Sequence, residues 1–115
     1  MDVKVGLNEQ YPIFLRGKIV AVCEMVLREQ IGVIAGSRQL VSLGSALCGE
    51  HDEDFIPFLA VDSETDHLPV DGERRNWSIE SLERKDKEIS DYEASARSEV
   101  FESCRKLIST FGFKD

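Results

Sequence analysis

Residues 78–112 read SIESLERKDKEISDYEASARSEVFESCRKLISTFG, and this stretch decides the fold class. Its apolar side chains recur every three or four positions, which is the period of one face of an α-helix. They are Ile79, Leu82, Ile89, Tyr92, Ala96, Val100, Cys104, Leu107, Ile108 and Phe111. We predict a long helix here, capped by Asn76 or Ser78 and ended by Gly112. The one gap in the pattern, near Lys85, leaves open whether the helix is continuous.

Two further helices are predicted in the first half of the chain. Residues 11–31 keep a helical apolar period, with Pro12 in the first turn and Gly32 as the expected stop. Residues 33–47 carry a second apolar stripe, and many of the side chains between its members are small. A neighbouring helix can approach such a surface closely. Because only one or two residues would join these helices, we expect them to form an antiparallel helical hairpin.

The middle of the chain predicts one short helix and one loop. Residues 52–60 are apolar on one side, with Asp52 or Asp54 as the cap and Pro57 in the first turn. Residues 62–76 lose the helical period and are rich in turn-forming residues, which indicates a structured loop. We therefore predict an all-α fold, a single-domain bundle of about four or five helices over residues 1–115. The acidic loop lies between the N-terminal hairpin and the C-terminal helices.

The composition excludes some classes of protein. The 115 residues include 14 Lys and Arg against 22 Asp and Glu, a net charge of −8. This balance argues against a nucleic-acid-binding protein, because phosphate contacts require a basic face. The sequence has no secretory signal pattern and nothing close to the roughly 20 apolar residues of a membrane helix, so we expect no membrane partner and a cytoplasmic location. The scattered cysteines, Cys23, Cys48 and Cys104, fit a reducing compartment.

The negative charge is concentrated in one segment. Residues 50–73 contain nine acidic side chains and no Lys or Arg, whereas the flanking segments are close to neutral. Four interpretations stay open: a solvated loop, a docking surface for a basic protein, a divalent metal site, or paired catalytic carboxylates. The candidate partner-binding residues are Asp52, Glu53, Asp54, Asp62, Glu64, Asp66, Asp71 and Glu73.

Basic and aromatic residues beside this segment predict a structural clasp. Arg38 or Arg74 is expected to hold one of the carboxylates in a bidentate pair and so to fix the loop across the helices. Trp77, three residues after Arg74 and the only Trp in the chain, is expected to anchor the loop in the core. The alternative is that the same arginines and carboxylates form a binding pocket. Carboxylates that pair with Arg38 or Arg74 inside the fold would not be available to bind a partner.

One motif in the loop resembles a known family. The run Ser63-Glu64-Thr65-Asp66-His67-Leu68-Pro69, followed by Arg74 and Trp77, is similar to the S-E-T-D-x-L-P…R-x-x-W element of a small bacterial family of unassigned function. The resemblance extends over most of the chain, including an upstream Arg at the position of Arg38. Small acidic proteins of this size, some of them similar, act as immunity proteins of contact-dependent growth-inhibition systems. The resemblance therefore implies a toxin-neutralising protein.

Two classes of function follow from these observations. The first is a non-enzymatic immunity protein whose acidic surface, residues 50–73, covers the positive cleft of a basic protein toxin such as a nuclease domain, with no cofactor and no nucleic-acid partner. The second is a small-molecule- or divalent-metal-dependent enzyme that uses carboxylates of the same loop with Arg74 and a histidine. The sequence contains no nucleophile elbow, no phosphate-binding glycine loop and no calcium-loop spacing, and we favour the binding protein.

Overall fold

The computed structural model describes residues 2–48, 53–68 and 77–112. They form four α-helices: α1 (Asp2–Leu27), α2 (Val33–Cys48), α3 (Ile56–Glu64) and α4 (Ile79–Phe111). A 3-10 turn, Glu53–Phe55, precedes α3, and the described residues contain no strand. The predicted all-α bundle is confirmed.

The first helix is longer at its start and shorter at its end than predicted. It begins at Asp2, so Pro12 lies inside it and the prediction of Pro12 in the first turn is wrong. The helix continues through Pro12 because the following turns bury a continuous apolar face, which outweighs one lost backbone hydrogen bond. At the other end, Glu29 adopts a φ of 59°. The Gln30 amide donates to the Met25 carbonyl at 2.8 Å, which closes the helix in a Schellman motif.

Gly32 is therefore not the stop of α1, and it lies beside Glu93 of α4. The linker between α1 and α2 spans residues 28–32, five residues rather than one or two. Glu93 of α4 reaches the start of α2, where the Ile34 amide donates to Glu93 Oε2 at 3.0 Å. A Cβ on residue 32 would lie 2.8 Å from the same oxygen, so a larger residue would require the end of the flexible Glu93 side chain to shift. The contact satisfies one of the amides that every helix start leaves unpaired.

Close approach between elements depends on small residues of α2, as its sequence predicts. A Cβ on Gly36 would lie 2.3 Å from Val26 Cγ2 in α1. A Cβ on Gly44 would lie 2.5 Å from Cδ1 of Phe55, whose ring is buried. These two glycines let α1 and the 3-10 turn pack directly on the backbone of α2. The core is completed by α4, which contributes Val100 and other fully buried side chains.

The last helix is continuous and extends beyond the core. Its cap is Ser78, whose Oγ accepts a hydrogen bond from the Ser81 amide at 3.2 Å, and no break occurs near Lys85. Ile79 is 76% exposed, so the first turns of α4 carry apolar residues that the bundle does not cover. The principal dimensions of the molecule are 57 × 28 × 25 Å. The apolar stripe of α4 thus extends beyond the part of the bundle that can bury it.

Cys23 of α1 and Cys104 of α4 meet inside the core. Both are free thiols with no exposed surface. A hydrogen bond to Cys104, together with burial, raises the pKa of the Cys23 thiol. A thiol with a raised pKa stays protonated at neutral pH and is a poor nucleophile. The same contact lowers the pKa of the Cys104 thiol. Because both side chains are completely buried, the two cysteines serve as small core residues that join α1 to α4, as the sequence predicts for them.

Candidate functional site

The described part of the acidic segment lies on and around α3. The 3-10 turn and α3 bury Phe55, Phe58 and Val61 against the bundle. The rings of Phe55 and Phe58 are 6.3 Å apart, a tilted aromatic contact. Burial of this face turns the acidic side chains of the segment toward the surface. The helix ends at Glu64, so the prediction that residues 62–64 belong to a loop is wrong.

Arg38 of α2 crosses to the turn that follows α3. Its Nη2 donates to the Thr65 carbonyl at 2.5 Å and to the Leu68 carbonyl at 3.1 Å. Its Nε lies 3.7 Å from Asp62 Oδ1. Thr65 is fully buried, and its hydroxyl donates to the Val61 carbonyl at 2.6 Å. The guanidinium thus binds two backbone carbonyls and one carboxylate, and it holds the end of α3 against α2.

The ion pair with Arg38 removes Asp62 from the set of carboxylates available to a partner. Asp54 is also engaged within the fold, because its Oδ1 lies 3.3 Å from Lys106 Nζ of α4. It does not cap α3, whose N-cap residue Phe55 makes no capping hydrogen bond through its side chain. Two of the candidate binding residues therefore have internal cationic partners.

Glu64 faces α4 and accepts a hydrogen bond from the Tyr92 hydroxyl at 2.5 Å. Burial of the phenol, followed by the contact with Glu64, raises the pKa of Tyr92 to about 12. The negative charge of Glu99 adds a smaller contribution to this shift. The sequence places Tyr92 only in the apolar stripe of the last helix. The role of its hydroxyl could not be found there, because Glu64 lies 28 residues away.

These side chains border an open groove between α3 and α4. Its volume is about 320 Å³. Its lining combines small apolar side chains with polar groups. The apolar ones include Ala60, Val61, Ala96 and Val100, and the polar ones are Glu64, Tyr92, Ser95 and Glu99. Apolar side chains beside carboxylates suit a long cationic side chain, whose aliphatic stem needs apolar contact and whose head needs a carboxylate.

A second contact joins the turn after α3 to α4. His67 Nε2 lies 2.5 Å from Glu88 Oε2, and Lys85 Nζ lies 3.4 Å from Glu88 Oε1. The hydrogen bond with His67, with a smaller contribution from Lys85, lowers the pKa of the Glu88 carboxyl. All three side chains are solvent-accessible, so we expect this contact to contribute little to stability. It orients the turn that carries Asp66.

Glu53 and Asp66 are the exposed candidate carboxylates at the two ends of α3. Glu64 is exposed as well, and its carboxylate lines the groove described above. The remaining candidates, Asp52, Asp71 and Glu73, lie outside the described residues, as does the clasp residue Arg74. Of the predicted clasp, the structure therefore places only Arg38 and Trp77.

Trp77 does not anchor the core. Its side chain is 37% exposed, and the prediction of a buried anchor is wrong. The physical reason is its position one residue before the Ser78 cap of α4, at the end of the helix that extends past the bundle. Neighbouring Ile79 is exposed for the same reason.

Among the residues that the structure describes, no group of three or more His, Cys, Asp or Glu side chains is placed to hold a metal ion. None of the described helices combines the length and the apolar character needed to cross a membrane.

Comparisons of this chain with protein-family models, with curated proteins and with solved structures found no match. The resemblance to the S-E-T-D-x-L-P family therefore stays a prediction.

Proposed function

We propose that this chain is a non-enzymatic immunity protein that neutralises a basic, nuclease-type bacterial toxin through the acidic surface of residues 50–73. The observation that carries the proposal is the concentration of the whole net charge of −8 in this one segment. A nuclease must hold phosphates in a positive cleft, and a row of carboxylates presents a similar pattern of negative charge. Clustered charge of one sign speeds association with a partner of the opposite sign and selects against others.

The described residues suggest how the surface engages such a partner. Glu53 and Asp66 extend into solvent at the two ends of α3 and are suited to attract and orient a basic protein. The groove between α3 and α4 accepts a Lys or Arg side chain, with its stem against the apolar side chains of the lining and its head near Glu64 and Glu99. Asp54 and Asp62 do not belong to this contact set, since each pairs with a cation of the fold.

The first experiment is co-purification of the tagged protein at low and at high salt. We expect a basic protein to be captured at low salt and to be lost or weakened at high salt, because exposed charge pairs are screened at high ionic strength. Absence of any protein partner under both conditions would contradict the proposal.

The second experiment locates the binding surface with matched charge reversals. The double variant Glu53→Lys/Asp66→Lys is compared with the control Glu80→Lys/Glu83→Lys, which makes the same change in net charge on the exposed start of α4. We expect the first variant to weaken partner binding at least about tenfold and the control to change it much less. Circular dichroism confirms that both variants fold. Equal losses in the two variants would show that net charge, and not the α3 surface, governs binding.

A further inference from the structure

Helix α1 carries two apolar faces, and only one of them packs in the core. The core face includes Leu15, Ile19 and Val26, which are almost completely buried. A second line of side chains lies on the surface: Tyr11 and Phe14 are 57% and 56% exposed, and Met25 is 38% exposed. Exposed aromatic side chains clustered on one helix face are unusual for a surface that meets only water.

We call this exposed line of side chains the α1 seam, and its residues follow a regular spacing. Its members are separated alternately by three and four residues, the a and d pattern of a coiled coil. They are Tyr11, Phe14, Lys18, Ala21, Met25 and Arg28. All six are exposed, and the seam spans about 26 Å along the helix.

The chemistry of the α1 seam is self-complementary when a second copy runs in the opposite direction. In that register Tyr11 of one copy meets Arg28 of the other, and Phe14 meets Met25. Lys18, whose Nζ lies 5.6 Å from the centroid of the Phe14 ring of its own helix, meets the small Ala21. Cation–aromatic and sulfur–aromatic contacts are both favourable. A parallel pair would instead place Lys18 against Lys18 and Arg28 against Arg28, which like-charge repulsion disfavours.

We propose that a second copy of this chain is the partner of the α1 seam and that the two α1 helices pack as an antiparallel homodimer. Gly17 lies beside the seam and has open space where a Cβ would be, so the helices can approach closely there. Glu24 also borders the seam, in reach of Lys18 of the second copy, and its carboxylate lies 3.6 Å from Arg28 of its own chain, the first residue after α1. The interface is isologous, as most closed dimers are.

The location of the seam separates it from the acidic surface. α1 packs mainly against α2 and α4, and α3 packs against the same two helices from elsewhere in the bundle. The dimer therefore does not depend on the proposed immunity function, and it leaves α3 accessible. Tyr11 and Phe14 together expose on the order of 200 Å² per subunit, a fraction of the roughly 800 Å² per partner of a standard interface. We expect a weak and reversible dimer.

Sedimentation equilibrium and light scattering across the micromolar concentration range test the proposal. We expect the mass to rise with concentration from 13.0 kDa toward twice that value. Phe14→Asp is expected to weaken dimerisation at least about tenfold. The control is Ile56→Asp on α3, where the side chain is 52% exposed and lies outside the seam. A constant monomer mass at all concentrations, or equal effects of the two variants, would overturn the proposal.

A charge exchange tests the antiparallel register. Lys18→Glu and Glu24→Lys, each alone, place like charges across the interface and should weaken the dimer. The double variant restores the opposite charges and should recover the affinity of the unmodified protein. A double variant that is as weak as the single variants would overturn the antiparallel arrangement, and melting curves confirm that each variant folds.

Discussion

Arg38→Ala is the substitution for which the structure gives the largest expected loss of stability at a polar residue. The side chain of Arg38 is only 19% exposed. It donates to the carbonyls of Thr65 and Leu68, both of which belong to buried residues. The substitution removes these donors from a place that bulk water does not reach easily.

The contacts allow an estimate of the magnitude. A hydrogen bond from a charged group contributes about 1.5–3 kcal/mol, and a buried carbonyl left without a donor costs about 1–3 kcal/mol. The Thr65 carbonyl keeps a second donor, the Leu68 amide at 2.9 Å, which limits the loss there. The pair with Asp62 is partly exposed and adds little. We expect a loss of about 3 kcal/mol, or about 12 °C in Tm at roughly 4 °C per kcal/mol for a domain of this size.

Urea denaturation followed by circular dichroism measures the effect. The midpoint should fall while the m-value stays constant. Arg97→Ala is the matched control, because Arg97 is 50% exposed and lies 3.8 Å from Glu29 in a surface ion pair. We expect the control to lose less than about 1 kcal/mol. Arg38→Lys should fall between them, since a single ammonium cannot reproduce the fork of the guanidinium. If Arg38→Ala cost no more than Arg97→Ala, the clasp at this residue would be refuted.

The remaining predictions concern α2 and the groove. Gly44→Ala should destabilise the fold by about 1–2 kcal/mol, because the added methyl group collides with the buried ring of Phe55. Gly17→Ala, where a Cβ meets open space, should instead stabilise α1 by about 0.5–1 kcal/mol. Thermal melts of the two variants measure both effects. Titration of tyrosine absorbance should show one phenol that ionises at about 12 and disappears in Tyr92→Phe. Because the folded-state pKa of Tyr92 is raised above about 10, its contribution to stability is complete below pH 10 and is lost as the pH rises toward 12. In Glu64→Gln the ionisation should move to lower pH, and an unchanged titration would contradict the contact.

Helix periodicity was sufficient to predict the fold class but not the ends of the elements. The stripe from Val100 to Phe111 repeats over several turns, and a pattern of that length is hard to satisfy by any other structure. Pro12 misled the prediction because proline is common in first turns and costly in helix interiors. Burial of the face that contains Ile19 offsets that cost, and burial is a property of the assembled bundle.

The candidate site was predictable as a segment but not as a set of contacts. Charge counting identifies residues 50–73 from the sequence alone. Which carboxylates are neutralised depends on residues far away in the chain, such as Lys106 for Asp54 and Arg38 for Asp62. The same holds for the end of α3. Arg38, which binds the Thr65 carbonyl there, lies 27 residues earlier in the chain, so no local sequence rule predicts this contact.

The length of α4 has a hydrodynamic consequence. A compact chain of 115 residues has an expected radius of gyration of about 13 Å, whereas this molecule has 16.0 Å. The larger value corresponds to a compact protein of roughly 185 residues. The monomer should therefore diffuse slowly for its mass and elute from a gel-filtration column ahead of spherical standards of 13.0 kDa. Early elution is thus the expected behaviour of a single elongated copy, and molecular mass is what distinguishes it from a dimer.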